Sequence, residues 1–352
     1  MSASAAPPIQ HAIRQLAMGE SLTEAESRAA FGAVMQGEAT HAQVAALLVG
    51  LRVKGETAEE VAGAADAMRG AMVWLPSDAP ADLVDTCGTG GGAVGTFNIS
   101  TAAALLAAGL GVRIAKHGNR SFTSQCGSAD VLEALGVPVE VSVGVMERAL
   151  REAGIVFMFA PLMHPAMRHV GPVRRELAIP TVMNIVGPLA NPAGAGRQVV
   201  GVADARRVSL IAGALRALGT VHALVVHGEP GMDEVSPLGP TRVLEIRNGE
   251  TREWTIEPSR YGFGAGDAAE LTGGPPAQNA AAVRAVLDGN APPTAIAAVV
   301  LNAAAALYVA PGGPTDFGDA IEAARRGLID GAGIRALERL RAAFAEPTAG
   351  PR

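Results

Sequence analysis

Four short segments of this chain gather the residue types that handle phosphates, divalent cations and carboxylates. The first is Gly88-Thr-Gly-Gly-Gly92, after a run with strand character and ahead of Asn98-Ile-Ser-Thr101 at a helix start. Such a loop lets backbone N–H groups approach phosphate oxygens, and a helix N-terminus favours negative charge. It lacks the Gly-Lys-Ser/Thr of a Walker loop and the spacing of a dinucleotide fingerprint, so it reads either as an anion cradle or as a tight strand-to-helix turn. The hydroxyls of Ser100 and Thr101 favour the cradle, since they can cap the helix and also contact a phosphate or a metal.

The second segment is Lys116-His-Gly-Asn-Arg120 with Ser121, Thr123, Ser124 and Ser128, also after a strand candidate. Two fixed cations and a string of hydroxyls suit a polyanion, although a charged loop alone is usually a solvated turn. Two such loops at the ends of neighbouring strands shift the balance, because open α/β sheets bind ligands there. The third is Asp233-Glu234, an adjacent carboxylate pair of the kind that serves Mg²⁺ together with ligand phosphates and water. The fourth is His164-Pro-Ala-Met-Arg168 with Arg174-Arg175, where an arginine on a helix can clamp a carboxylate through two parallel hydrogen bonds. Arg175 reads as a surface charge, and His164 as a residue that fixes a loop or lines a wall. No Ser/His/Asp or Cys/His nucleophile pattern stands out, and no histidines have metal spacing.

The elements that must position these segments fall into two groups. Residues 9–74 read as helices only. Thr23 with Glu26, Thr40 with Gln43 and Thr57 with Glu60 are three capping boxes, and Gly19, Gly37 and Gly55 are helix stops. After a linker at 77–80 the pattern turns to alternation. Strands are expected at 82–85, 112–115, 155–159, 198–202 and 221–226, with helices at 100–110, 128–135, 145–153 and 205–218. This is the pattern of a mainly parallel sheet covered by helices. A hairpin at 241–246 and 251–256 turns at Asn248-Gly249, and helices resume from 278. The broken stretch 168–190 is expected to cross back onto the N-terminal helices. The fold class is therefore α/β, with an all-helical domain at 1–78 and a large α/β domain at 79–352.

Composition narrows the function. The 352 residues are 49% hydrophobic and 18% charged, which is globular. A net charge of −6 and a pI near 5.7 argue against duplex nucleic acid as a partner. Aromatics are only 3% while glycines number 43, so backbone approach rather than ring stacking must serve any ligand. Cys87 and Cys126 are too few for a disulfide scaffold and form no CxxC pair, so both read as packing residues. No signal peptide is visible at 1–10, and the longest apolar run, 295–310, carries Asn302 and is too short to span a bilayer. The expectation is a cytoplasmic protein without a membrane partner.

Taken in order and spacing, these motifs, together with Gly127-Ser-Ala-Asp130, Pro172-Val-Arg-Arg-Glu-Leu and Gly187-Pro-Leu-Ala-Asn-Pro, resemble the anthranilate phosphoribosyltransferases over nearly the whole chain. The resemblance implies the nucleoside phosphorylase/phosphoribosyltransferase type of fold, a homodimer through the helical domain, Mg²⁺, and a step of tryptophan biosynthesis in which anthranilate and 5-phosphoribosyl diphosphate give phosphoribosyl-anthranilate and diphosphate. It implies contacts to the phosphoribosyl diphosphate from Gly88, Gly91, Gly92, Thr96, Asn98, Ile99, Ser100 and Thr101. It implies the same for Lys116, His117, Gly118, Asn119, Arg120, Ser121, Phe122, Thr123, Ser124 and Ser128. It assigns Gly88, Asn119 and Arg174 to anthranilate, and Ser100, Asp233 and Glu234 to metal. The family usually has Asp where this chain has Gly92. The rival readings are a pyrimidine nucleoside phosphorylase, against which Asn119 and the Asp233-Glu234 pair stand, and a non-catalytic nucleic-acid-binding relative, against which the charge stands.

Overall fold

The structure, a computed structural model, describes residues 7–121 and 125–344. Four helices open the chain: α1 (Pro8–Ala17), α2 (Glu24–Met35), α3 (His41–Lys54) and α4 (Ala58–Gly70). All three expected capping boxes are present, with the Thr23, Thr40 and Thr57 hydroxyls accepting from the amides of Glu26, Gln43 and Glu60. Each satisfies two N-terminal N–H groups that would otherwise lack partners, at ~1 kcal/mol per cap.

The α/β part then alternates. It runs β1 (Val84–Gly88), α5 (Ile99–Gly109), β2 (Ile114–Gly118), α6 (Ser128–Ala134), α7 (Val143–Ala153) and β3 (Ile155–Phe159). The crossing stretch contributes α8 (Ala160–Met163), α9 (Gly171–Leu177) and α10 (Met183–Val186). β4 (Arg197–Gly201), α11 (Val208–Ala217) and β5 (His222–Gly228) follow, then the hairpin β6 (Thr241–Arg247) and β7 (Glu250–Ile256). The chain closes with α12 (Pro276–Leu287), α13 (Pro293–Val309), α14 (Phe317–Ile329) and α15 (Ala332–Phe344). Asn248 and Gly249 both have positive φ, 51° and 84°, as a tight hairpin turn requires.

Two expected strands are displaced. Residues 80–82 form a 3₁₀ turn because Pro80 sits at its first position, and the strand starts at Val84 and runs into Gly88. The second strand is not 112–115. It reaches through Lys116, His117 and Gly118, because β3 offers them a complete parallel ladder up to Phe159. Lys116 and His117 are therefore strand residues facing opposite sides of the sheet.

The sheet order is β3-β2-β1-β4-β5-β6-β7, parallel from β3 to β5 and antiparallel beyond. The chain leaves β1 toward β2 and β3, then returns to its other side as β4 and β5. The carboxyl ends of β1 and β4 are thus the switch point where open α/β sheets hold ligands. Alternation splits the apolar residues between two cores. Val199, Leu224, Val226 and Val243 face a cluster with α5, α7 and α12 to α15. Val200, Ala223, Val225 and Ile246 face another with α1 to α4, α11 and the crossing stretch. In that second core α9 packs on α3 and α10 on α4, and the Arg69 guanidinium donates to the Leu189 carbonyl at 2.8 Å.

Candidate active site

The acidic loop after β5 lies against glycines at the switch point. Gly88 and Gly201 are register partners at the ends of β1 and β4. A methyl group on Gly88 would run into the Asp233 carboxylate, and one on Gly201 into the Asp233 carbonyl. Gly228 is similarly closed, since a methyl there would lie 2.6 Å from the Glu234 carbonyl. Glycine is required here by close approach, not by turn geometry. The Gly90 amide then donates to Asp233 Oδ2 at 2.8 Å, so the first loop and the acidic pair hold one another. Gly90 and Gly91 take positive φ, 72° and 79°, whereas Gly92 does not.

The first turn of α5 and the second strand complete the cluster. The Ser100 amide donates to the Glu234 carboxylate. Lys116, only 3% exposed, donates from Nζ to the Thr86 carbonyl and to Ser100 Oγ at 3.2 Å. Burial, and then the charge of Asp233, push the Glu234 carboxyl up to about 8, against the pull of Lys116 and the Ser100 amide. Lys116 is faced by Asp85 and Glu234, and Asp233 stands beside Glu234, so the cluster is short of positive charge. Oxygen donors from Asp233, Glu234 and Ser100 suit a hard divalent cation, and Mg²⁺ in particular, which takes few carboxylates and completes its shell with phosphates and water. Among the described residues no group of three or more His, Cys, Asp or Glu side chains gathers as a metal cluster.

A buried support lies beneath. Asp85 accepts from Asn191 Nδ2 at 2.8 Å and from the His117 amide at 3.2 Å. Burial raises its carboxyl to about 6, with Lys116 and Asn191 opposing. On the opposite face of β2 from Lys116, His117 meets His164 with ring centroids 4.8 Å apart. Burial, and for His117 also its neighbour, lowers the two imidazoles to about 3 and about 4, so both are neutral near pH 7.

The remaining candidates divide. Asn98 donates to the Cys126 carbonyl, tying the α5 turn to the second loop, and Ser128 Oγ donates to the Asn119 carbonyl. Asp130 caps α6 from the Gly127 amide at 2.8 Å and also accepts from Ser121 N at 3.3 Å. Thr96 bridges to Thr272. Ile99 and Thr101 are buried with their amides bonded to Phe97 and Asn98, so they frame the turn rather than open onto it. The Arg120 guanidinium is engaged by Glu133 in a two-bond fork, by Asp130 and by Glu140, over the Phe159 ring. Phe122, Thr123 and Ser124 lie outside the described residues. Arg174, on α9, is half-buried without an ion-pair partner among the described residues, and burial alone lowers its pKa; Arg175 is exposed.

Sequence reasoning missed four buried supports: Asp85, Asn191, Asn279 and Asn302. Asn279 Nδ2 donates to Asn98 Oδ1 at 2.9 Å across 181 positions, and Asn302 binds the backbone of Val235. Their only sequence signal is a polar residue inside an apolar run.

Comparison with known proteins agrees with this layout. Residues 10–72 match the helical bundle domain of a glycosyl transferase family and residues 80–334 its a/b domain. The chain is 49% identical over 334 residues to the anthranilate phosphoribosyltransferase of Roseiflexus sp. (strain RS-1), covering 95% of this chain and 97% of that one. It is also 49% identical over 343 residues to that of Anaeromyxobacter dehalogenans (strain 2CP-C), covering 96% and 99%. Among solved structures, the anthranilate phosphoribosyltransferase of Thermus thermophilus superimposes with a TM-score of 0.88 at 42% identity, over 94% of this chain and 98% of that one. The Saccharomyces cerevisiae enzyme in complex with PRPP and Mg gives 0.83 at 27% identity, over 96% and 98%.

Proposed function

We propose residue roles from one premise: the chain belongs to the anthranilate phosphoribosyltransferase family. It transfers the phosphoribosyl group of 5-phosphoribosyl diphosphate to the amine of anthranilate and releases diphosphate, a step of tryptophan biosynthesis. The observation that carries the residue assignment is the meeting of the glycine loop, the α5 turn, Lys116 and the acidic pair at the switch point of the sheet.

On this reading Gly88, Gly91, Gly92, Thr96, Asn98 to Thr101, Lys116 to Ser121 and Ser128 cradle the phosphoribosyl diphosphate, and Phe122, Thr123 and Ser124, outside the described residues, are assigned to the same ligand. Within that set Ile99, Thr101 and Arg120 act by holding the loops in shape, since their polar groups are buried or already paired. Ser100, Asp233 and Glu234 hold Mg²⁺, which when bound offsets diphosphate charge and makes it a better leaving group. The complex of the yeast enzyme with PRPP and Mg supports this choice of metal. Arg174 takes the anthranilate carboxylate, with Gly88 and Asn119 beside the ring. Support for Arg174 is a half-buried guanidinium without a charge partner among the described residues.

The reaction asks little of acid–base groups. An aromatic amine is neutral at pH 7, so the acceptor needs no strong base to attack the ribose carbon as its bond to diphosphate lengthens. His117 and His164, held neutral, fit a wall that adds no charge to the site. What the chain supplies is alignment of two substrates and exclusion of water, which would otherwise capture the activated sugar.

The same proposal includes a domain boundary at 78/79, supported by the two matched domain models. It includes a homodimer through the helical domain, supported by Met18 and Val53, which stand 67% and 81% exposed after α1 and in α3. It includes a cytoplasmic setting, supported by a sequence with only two cysteines, too few for a disulfide scaffold. No helix among the described residues is long and apolar enough to cross a membrane. The test is the fluorescence of anthranilate: it decays when both phosphoribosyl diphosphate and Mg²⁺ are added and persists when either is omitted. Phosphorolysis of thymidine or uridine with anthranilate untouched would reverse the conclusion.

A further inference from the structure

Between Thr294 and Tyr308 every residue of α13 is apolar except Asn302, which is 4% exposed. A buried amide is costly unless its groups are bonded, and here they are. Asn302 Oδ1 accepts from the Val235 amide at 2.9 Å, and Nδ2 donates to the carbonyls of Val235 and Ala298, both at 2.9 Å. One side chain thus holds both backbone groups of the residue that follows Glu234. Val235 is fully buried, so neither group can turn to solvent instead. Asn302 also lines a small cavity with Thr86, Cys87, Ser100 and Glu234, which places it directly behind the acidic pair.

The other ties of this loop act elsewhere. Gly90 holds the Asp233 carboxylate, the Gly228–Met232 bridge holds the entry, and Thr241 Oγ1 accepts from the Ser236 amide at the exit. Among the described residues, only Asn302 fixes the peptide from which Glu234 projects toward the Ser100 amide. We propose that Asn302 is a positioning residue for the divalent cation. It sets the direction of the Glu234 carboxylate by clamping Val235 from α13. This rests on the reading that Asp233 and Glu234 hold the cation.

The test is titration calorimetry of phosphoribosyl diphosphate binding at graded Mg²⁺, without anthranilate, beside steady-state kinetics. Asn302→Leu keeps the branched four-atom outline of the side chain and the apolar character of α13 but removes both ties to Val235. It should raise the Mg²⁺ concentration for half-maximal binding about tenfold, with the anthranilate KM unchanged. Asn302→Ser, whose hydroxyl can reach Val235 through a water in the adjoining cavity, should give a smaller shift in the same direction. Leu301→Ala, buried in the same helix, should lower thermal stability and leave the Mg²⁺ dependence alone. If Asn302→Leu does not fold, Asn302→Ser carries the comparison. An Mg²⁺ dependence that moves equally in Leu301→Ala, or in neither Asn302 variant, overturns the proposal. Asp233→Asn with Glu234→Gln separates the two levels. If that pair shifts the Mg²⁺ dependence and the Asn302 variants do not, this inference alone falls. If the pair leaves it unmoved, the metal assignment falls and takes the inference with it.

Discussion

Replacing Gly92 by aspartate places a new carboxylate in the first loop, and the structure gives its surroundings. A Cβ at Gly92 would lie 3.1 Å from Asp233 Oδ1 and 3.2 Å from the Gly231 carbonyl. The new carboxylate would therefore sit within roughly 4 Å of that of Asp233, where two unit charges repel by about 4 kcal/mol at an effective dielectric of 20. Gly92 is half-exposed, and salt and water leave ~1–2 kcal/mol of this. Because the φ of Gly92 is not in the left-handed region, no backbone strain is added. Gly92→Asn has the same shape without the charge. Relative to Gly92→Asn, Gly92→Asp should melt a few degrees lower without metal. It should also reach half-maximal activity at about 5- to 30-fold lower Mg²⁺, because the cation relieves the repulsion. The assay is a pair of matched Mg²⁺ titrations, by thermal melting and by steady-state turnover. Coincident curves for the two variants would refute the reasoning and leave position 92 as a turn residue.

Arg174→Ala should raise the anthranilate KM by at least about thirtyfold, the ~2–5 kcal/mol of a lost buried charge pair, while phosphoribosyl diphosphate binding by calorimetry stays put; equal loss for both substrates would make Arg174 structural. The imidazole of His164, lowered by burial to about 4, gives an acid-lability signature. Between pH 6.5 and 4 the unfolded chain binds a proton that the native protein refuses, so stability rises with pH through this window and falls as pH drops toward 4. From pH 7.5 to 5 its share of the loss is ~2 kcal/mol, and His164→Gln should remove that share from the pH dependence of urea midpoints.

The glycine, hydroxyl and acidic segments were legible in the sequence because each is local. A glycine run after a strand, hydroxyls at a helix start and adjacent carboxylates are contiguous, and their chemistry follows from residue type. The capping boxes were legible for the same reason, since the donor and acceptor lie three positions apart. Strand ends were less so. Lys116 and His117 looked like loop residues because polar side chains argue against a strand, yet the ladder to β3 decides the matter. The partners of the buried asparagines were not legible, although Asn191 falls in a noted motif and Asn302 interrupts an apolar run. Asn279 meets Asn98 across 181 positions and Asn302 meets Val235 across 67, and such pairs leave no local pattern. Arg120 adds pairing that residue type alone does not announce, since Asp130, Glu133 and Glu140 surround its guanidinium with three carboxylates.

The charges gathered at the switch point also bear on how substrate enters. Among Asp85, Lys116, Asp233 and Glu234, the sole fixed cation is Lys116, and it is spent on Thr86 and Ser100. A bare diphosphate approaching the acidic pair would meet repulsion that Lys116 cannot offset alone. The upward push that burial and Asp233 give the Glu234 carboxyl lessens this but supplies no positive charge. On the reading given above, the competent ligand is therefore the phosphoribosyl diphosphate accompanied by its divalent cation. The backbone amides of the glycine loop then serve its phosphates, while the acidic pair serves the cation. Glycine at positions 88, 201 and 228 follows from the same requirement. At the ends of β1, β4 and β5 the Asp233 carboxylate, the Asp233 carbonyl and the Glu234 carbonyl respectively approach more closely than any Cβ would permit, which seats the acidic pair against the switch point.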